Sequence, residues 1–567
     1  MSRPPAGRLV GLLAVMVIGL VTVVGRLAVL QVRDHQVLTA EGLEQRVHLT
    51  DLPSERGRIL DRTRAPLAIS LEGRDVYADP RYVTDPVGEA RTIGRILDLR
   101  PRAVERQLRA DATFVYLARQ VDVDVAERLA DRALPGIGFL EVPTRHYPAG
   151  PLAPQVLGFV GVDGSGLNGL EFEYEDVLSG TPGTRTAELS ADGLPIPAGI
   201  EIVEPAIPGR TLVTTLDREI QHLAQEALRR AVEENGAKAG TIVVMDPRTG
   251  DVYAMASYPW FDPNRFQEAD VDAFRNRAVT DMFEPGSVNK VVTAAAALES
   301  DVVGIRDVFE VPWSLRVGGY TVHDSHPHAL EAMTLADIVA YSSNIGSAMV
   351  AERVGSEALA SVLSRFGYGQ PTGIGFPGEA GGHVPAFGSW TDVTRTTVSY
   401  GQGISMTPLQ MAAVYATVAN GGVWVQPRLV RGTIGGDGRL VPAPDSPRRR
   451  VVSEETATML TRMLASVVET GTGGAAQIPG YQVAGKTGTA RKLVDGRYVQ
   501  RYMASFVGFL PAAAPRVVIA VSLDEPRTVY GGVAAAPAFS EVALHVIQRL
   551  AIPAAPSVPL PPVAADR

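Results

Sequence analysis

Cysteine is absent from all 567 residues. That excludes disulfides, Cys-ligated zinc and thiol redox chemistry together, and it fits a protein that works outside the cytoplasm. A basic excess is also missing. Lysine and arginine number 53 against 62 acidic residues, a formal net charge of -9, so the charge balance implies no nucleic-acid partner, which would call for a basic surface. There is no repeated unit and no His-Glu-x-x-His pair of a zinc protease. Long apolar runs are scarce, and only one is long enough to span a bilayer.

That run lies at the N-terminus. It is uncharged from Leu9 to Gly25, is interrupted by Arg26, and continues apolar to Val32. A membrane-crossing helix needs about 20 apolar residues, and an arginine near its end can snorkel to the interface. Arg3 and Arg8 precede the run, which places residues 1–8 in the cytoplasm by the positive-inside rule. No small-x-small cleavage site follows directly, so an uncleaved anchor over 9–32 is favoured over a signal peptide. Everything beyond Val32 is then expected on the outer face of the membrane.

Residues 33–208 mix β-like stretches ("GRDVYADP") with amphipathic helical ones ("PVGEARTIGRILDL", "DVAERLADRAL") among Arg, Pro and Gly turns. They read as an extended, non-catalytic α+β module. The pattern changes at "RTLVTTLDREIQHLAQEALRRAVEENG". A strand over Thr211–Leu216 leads to Asp217 as N-cap, and Ile220, Leu223, Ala224, Ala227, Leu228 and Ala231 then recur at helical spacing. "AGTIVVMDPRTGDVYAMASYP" is a hairpin signature. Near the C-terminus, "YQVAGKTGTA", "RYVQRYMASFVGFLP" and "PRVVIAVSLDEP" read as successive strands, with Asp495-Gly496 turning between the first two, and "PAFSEVALHVIQRLA" as a helix. The expected class is α+β, with an antiparallel sheet carrying helices on both faces over 209–551. The Pro- and Ala-rich 552–567 reads as a disordered tail. "RLVPAPDSPRRR" reads as an exposed loop with a solvated arginine run.

The chemistry is carried by three short stretches. "FEPGSVNKVVTAAAALES" puts Ser287 before an alanine-rich, buried-type helix, with Lys290 three residues on and so on one helical face. A serine is a weak nucleophile until a base takes its proton. A lysine serves as that base only when neutral, which burial or a second cation promotes. "YSSNIG" offers Ser342 and Asn344 beside a helix, a hydroxyl and an amide two residues apart, although Ser and Asn also serve as ordinary caps there. "VAGKTGTA" puts Lys486, Thr487, Gly488 and Thr489 on a strand. Alternation sets Lys486 and Gly488 on one face and the threonines on the other, and Gly488 is expected to leave room for a substrate backbone. "VHDSHPHAL" clusters His323, His326 and His328, which reads as a polar loop rather than a metal site.

Each stretch alone is weak. In this order and at these separations they form the set Ser-x-x-Lys, Ser-x-Asn and Lys-Thr-Gly of penicillin-binding proteins and class A β-lactamases. Over nearly its whole length the chain resembles a class B penicillin-binding protein. Arg56, Gly57, Ile59, Asp61 and Arg62 match that family's first-module signature, but Thr63-Arg64 stands where Asn-Gly is usual, so the local turn is expected to differ. "YPAGPLAPQVLGFVG", "GLNGLEFEYEDVLSGTPG" with Glu171, "GQGISMTPLQMAAVYATVANGG" and "YGGVAAAPAF" match further blocks. Glu284-Pro285-Gly286 and "SYGQGISMTPLQ" look most like the division-specific, septal branch.

The resemblance implies a membrane-anchored serine D,D-transpeptidase with no cofactor, inhibited covalently by β-lactams. It implies that Ser287 attacks the carbonyl between the terminal D-alanines of a peptidoglycan stem peptide and Lys290 takes its proton. Ser342 relays protons, and Asn344 binds the peptide amide and orients Lys290. Lys486 and the Thr487 and Thr489 hydroxyls are candidates for the substrate carboxylate, with Thr489 preferred because the family turns Thr487 away. The backbone N–H groups of Ser287 and Thr489 form the oxyanion hole. No acidic glycosyltransferase motif precedes Pro208, so a separate membrane polymerase is implied as a partner, with other division proteins. The rival readings are a carboxypeptidase or β-lactamase, an elongation-specific transpeptidase, a β-lactam sensor and a catalytically dead division protein.

Overall fold

The computed structural model describes residues 6–33, 35, 46–188, 190, 196–197, 199–494 and 496–561. The chain divides into two compact units, Met1–Glu55 with Gly180–Pro208, and Arg56–Ser179 with Gly209–Arg567. In the first, the Ala6–Ala28 helix widens into a π-helical turn over Val29–Arg33. The stretch Gly7–Arg33 is long and apolar enough to cross a membrane, and none of its residues is buried among the described residues. A three-stranded antiparallel sheet, with Gly183–Glu188 between Val47–Leu52 and Glu201–Glu204, completes the unit.

The chain passes from the first unit to the second after Pro208, and residues 56–179 also belong to the second. Residues 56–179 pack with the catalytic part because Ile59–Leu60 pairs in parallel with Thr211–Thr214, extending one seven-stranded sheet. A buried ion cluster holds the same region. Glu171 accepts from Arg56 and Arg145, both at 2.7 Å, and Arg56 also bonds Glu175 at 2.7 Å. The Thr63-Arg64 turn keeps the geometry that a glycine would supply. Arg64 sits at φ +72, and the Asp61 carboxylate accepts from the Thr63 and Ala65 N–H groups.

The central sheet is five-stranded and wholly antiparallel. Its order is Val252–Tyr258, Ala239–Met245, Val517–Asp524, Arg497–Leu510 and Ala484–Val494. Both faces are covered, which is why the inner strands read as continuous apolar runs. Ile242, Val244, Ile519 and Val521 face the Arg218–Asn235 and Ala536–Arg549 helices. Val243, Met245, Val518 and Ala520 join the other core, with Lys290–Glu299, Pro408–Ala419 and Glu454–Glu469. Asp217 caps its helix as expected, accepting from the Glu219 and Ile220 N–H groups.

Two peripheral expectations change. Arg448–Arg450 is a strand paired with Val423–Val425, not a loop, because the Arg449 guanidinium lies 3.8 Å over the Trp424 ring. Residues 552–561 lie along the body. Gln482 exchanges two hydrogen bonds with the Val558 backbone, and Ile552 is buried. The turn residue Asp495 lies outside the described residues.

Candidate active site

Ser287 belongs to a single 3-10 turn, Gly286–Asn289, that feeds directly into the Lys290–Glu299 α-helix. The 3-10 geometry suits the pair better than the α-helix expected from the sequence. With three residues per turn, positions i and i+3 eclipse, and the Lys290 amine lies 3.2 Å from the Ser287 hydroxyl. The turn is clamped from below. Asn289 donates to Val398 O and accepts from the Tyr368 hydroxyl, both at 2.7 Å, and Tyr415 donates to Val288 O. Gly286 sits at φ +57 and donates to Gly401 O. A Cβ on Gly401 would come within 2.2 Å of Gly286 O, so this close approach requires glycine at 401, while the positive φ favours it at 286. The following helix is buried on every side from Lys290 to Ala297, and its alanines allow that close packing.

Lys290 is enclosed by acceptors. Its amine bonds Ser342 O at 2.5 Å, Asn344 Oδ1 at 2.8 Å and Ser342 Oγ at 3.2 Å. A neutral amine has two N–H donors and one lone pair. The two carbonyl oxygens can only accept, so they take the N–H groups and leave the lone pair to face the hydroxyls. That is the configuration of a base toward Ser287. Burial holds the Lys290 ammonium well below the usual lysine range, the Lys486 charge pushes the same way, and the Asp324 carboxylate opposes both.

Lys486 reaches the same hydroxyl from the edge strand, at 2.9 Å from Ser342 Oγ. It is wholly buried, and burial brings it down to about 7. Two ammonium charges on one hydroxyl would repel. The arrangement therefore favours a neutral Lys290 with Lys486 holding the proton. Ser342 itself sits at φ +64, a left-handed conformation costing about 1 kcal/mol for a residue with a Cβ. It turns both the Ser342 carbonyl and hydroxyl toward Lys290. The capping reading of "SSN" proves true of the middle residue alone. Ser343 caps the Asn344–Val354 helix through Gly346 N–H, and the residues on either side face Lys290.

The Lys486–Thr489 stretch lies on the sheet's edge strand, beside the nucleophile turn. Alternation holds without a local twist: Lys486 points inward, and Thr487 and Thr489 both line the cleft. The expectation that Thr487 faces away is not met. Its hydroxyl pairs with that of Thr472 at 2.8 Å, while the Thr489 hydroxyl accepts from Gly531 N–H at 3.2 Å. Gly488 does not make room for substrate. A Cβ there would meet Ser505 Oγ at 2.3 Å and Val288 Cγ1 at 3.0 Å, so the glycine lets the strand close on the nucleophile turn.

These groups open onto a cleft of about 690 Å³ that Tyr400, Gln402, His326 and Tyr530 also line. Glu284 ties its rim together, accepting from Gly403 N–H and the Tyr498 hydroxyl, both at 2.9 Å. Burial raises the Glu284 carboxyl and those two bonds work against it. Sequence reasoning missed Thr472 and Asp324. Asp324 sits inside "VHDSHPHAL", where the histidines drew attention, and neither residue belongs to a spacing pattern that could have singled it out.

The Penicillin binding protein transpeptidase domain model matches residues 240–544, and the Penicillin-binding Protein dimerisation domain model matches 51–214. The chain is 38% identical to penicillin-binding protein PbpB of Mycolicibacterium smegmatis over 97% of its own length and 91% of that protein. It is 33% identical to peptidoglycan D,D-transpeptidase FtsI of Escherichia coli K12, over 95% and 91%. Among solved structures, penicillin-binding protein 3 of Mycobacterium tuberculosis complexed with aztreonam superposes with a TM-score of 0.72 at 34% identity, covering 90% of this chain and 100% of that one.

Proposed function

The chain belongs to the class B penicillin-binding protein transpeptidases, and from that premise we propose that it is a serine D,D-transpeptidase cross-linking peptidoglycan stem peptides at the division septum. One observation carries the catalytic reading: a buried lysine amine in contact with Ser287, Ser342 and Asn344 at once.

Ser287 Oγ attacks the carbonyl carbon between the two terminal D-alanines as its proton passes to Lys290. The oxyanion is received by the Ser287 and Thr489 backbone N–H groups, which act where charge develops. Collapse breaks the peptide bond. The leaving D-alanine amine takes a proton through Ser342, which bonds both lysines. The amine of a second stem peptide then attacks the acyl ester. Its proton returns along the same path to Ser287 Oγ, a new amide forms and free enzyme is restored. Asn344 orients Lys290 and binds the stem-peptide amide. Thr489 and the cleft-lining Thr487 hold the terminal carboxylate, with the buried Lys486 charge behind them on Ser342, and Gly488 brings the strand against the nucleophile turn.

The wider setting follows from the same premise. Residues 9–32 anchor the chain once in the bacterial cell membrane, with 1–8 cytoplasmic and the catalytic part outside. Residues 33–208 form the non-catalytic module, 209–551 the transpeptidase, and 552–567 the tail. A membrane glycosyltransferase of the division machinery supplies the glycan strands, and β-lactams acylate Ser287. The names of the relatives support the septal assignment.

The test labels the detergent-solubilised full chain with a fluorescent penicillin beside Ser287→Ala. Labelling is expected only with Ser287 present, and equal labelling of both sinks the assignment. Mass spectrometry of products from donor and acceptor stem peptides separates cross-linking from hydrolysis. A fluorescent fusion spread along the side wall and absent from mid-cell would exclude the septal role.

A further inference from the structure

The helices Pro86–Ile96 and Pro101–Leu108 pack beside the antiparallel strands Pro66–Ala78 and Val115–Asp122, with Ala90, Ile93, Val104 and Leu108 buried beneath them. A Cβ on Gly94 would come within 2.7 Å of Leu99 O, so glycine there lets the connection close tightly on the first helix. The outward side is an arginine face. Arg91 and Arg95 lie four residues apart on the first helix, and Arg102 and Arg106 four apart on the second, so each pair shares a face. Arg100, the N-cap residue of the second helix, makes no side-chain capping bond. Arg91, Arg100 and Arg102 line a cavity of about 570 Å³ whose apolar floor is Val87, Ala90 and Pro101. Among the described residues, none of these five arginines has an ion pair or a side-chain hydrogen bond, whereas Arg74, Arg81, Arg109, Arg119 and Arg145 each meet a carboxylate. The acid in the cavity wall, Glu105, is already engaged by Arg109 at 3.0 Å.

Like charges four apart on a helix repel. This face carries that cost without an acid of its own to offset it, on a chain whose formal net charge is -9. Charge and shape together decide what complements it. A guanidinium takes a carboxylate or phosphate through paired N–H donors, so the ligand is anionic. The floor is apolar, and the volume is that of a pocket for a many-atom group (roughly 300–1,000 Å³) rather than for a single ion. The ligand therefore carries an apolar group as well. Arg95 and Arg106 continue the charge beyond the cavity, which calls for an extended ligand with several anionic groups. We propose that this cavity docks an acidic segment of a partner protein, seating an apolar side chain on Val87 and Pro101 and setting carboxylates on Arg91, Arg100 and Arg102. The docking does not depend on the chemistry at Ser287.

The experiment follows the fluorescence anisotropy of a fluorescein-labelled peptide of Glu and Leu residues titrated with the full chain in a non-ionic detergent. The proteins are wild type, the double variant Arg91→Gln/Arg102→Gln, and Arg128→Gln, which changes an exposed arginine of the Val123–Ala130 helix that does not line the cavity. Saturable binding that weakens with added salt is expected for wild type and for Arg128→Gln. The double variant should bind roughly tenfold more weakly. Replacing each Leu of the peptide by Gly should also weaken binding roughly tenfold. No saturable binding to wild type, or equal binding to wild type and the double variant, overturns the docking site. Equal binding of the Leu-free peptide leaves only a polyanion surface and overturns the apolar seat. Displacement of the peptide by inorganic pyrophosphate, or by phosphatidylglycerol added to the micelles, makes the ligand a phosphate and overturns the acidic segment. Melting curves and penicillin labelling of all variants should match wild type, because the replaced side chains are exposed and unpaired. Should the double variant melt early, Arg100→Gln supplies the readout: several-fold weaker binding is expected, and an unchanged affinity overturns the site.

Discussion

Replacing Lys486 by methionine tests the electrostatic core of the site, because it removes a charge while keeping an unbranched side chain. Both ammonium nitrogens bond the Ser342 hydroxyl, at 3.2 and 2.9 Å, so they lie no more than about 6 Å apart. At that separation and an effective dielectric of about 20, two unit charges repel by roughly 3 kcal/mol. With the Lys486 charge gone, the protonated form of Lys290 is no longer penalised and its proton affinity rises. The neutral base then appears only at higher pH. The acid limb of the pH profile for acylation, measured as the second-order rate with penicillin, is expected to move to higher pH. Lys486 also bonds the Ser342 hydroxyl, so the plateau should fall as well, but a lost relay contact lowers the plateau without moving the limb. A Lys486→Met profile with a lower plateau and an unmoved acid limb would refute the coupling of the two lysines.

Ser342→Gly should trade activity for stability. Glycine occupies φ +64 freely, so a gain of about 1 kcal/mol is expected in the melting curve, while loss of the relay hydroxyl should slow acylation by roughly 10²-fold or more. Arg64→Gly should give a similar gain, since Arg64 sits at φ +72, with penicillin acylation unchanged. Gly488→Ala would drive a methyl into Ser505 and Val288. It should cost about 1–3 kcal/mol in denaturation and slow acylation by displacing the nucleophile turn. Glu171→Ala leaves Arg56 and Arg145 buried without their shared partner, and a loss of about 3–5 kcal/mol is expected in the same assay.

The sequence made the proposed catalytic groups legible because their chemistry is written in fixed short spacings. Ser287, Lys290, Ser342, Asn344 and Lys486 meet through hydrogen bonds among their side chains, and the strands that carry the sheet announce themselves as apolar runs. What it hid depends on folding back. Asp324 acts through a hairpin that brings it to a helix 20 residues downstream. Thr472 acts through a hydroxyl on a strand that follows it. Gly488 looked like space for a ligand, since a glycine in a sequence does not show which neighbour approaches it. Here the neighbours are Val288 and Ser505. The orientation of Thr487 was mistaken for a related reason: a general pattern was preferred to the plain alternation of the strand, and alternation prevailed.

The wide spacing of the three motifs has a physical reason. A base that must be neutral near pH 7 needs deep burial, so Lys290 begins a helix enclosed on all sides. The groups that hold it must therefore come from other layers. A second cation must lie close enough to suppress protonation of Lys290 yet on a separate element, because two lysines on one helical turn would extend to solvent together. The edge strand provides it. Lys486 points into the protein at Ser342 while Thr487 and Thr489 face the cleft, so one strand serves both the base and the substrate. The strain at Ser342 belongs to the same design. Only the left-handed turn presents a carbonyl and a hydroxyl to the same amine, and the helix capped by Ser343 and Asp324 keeps that turn from relaxing.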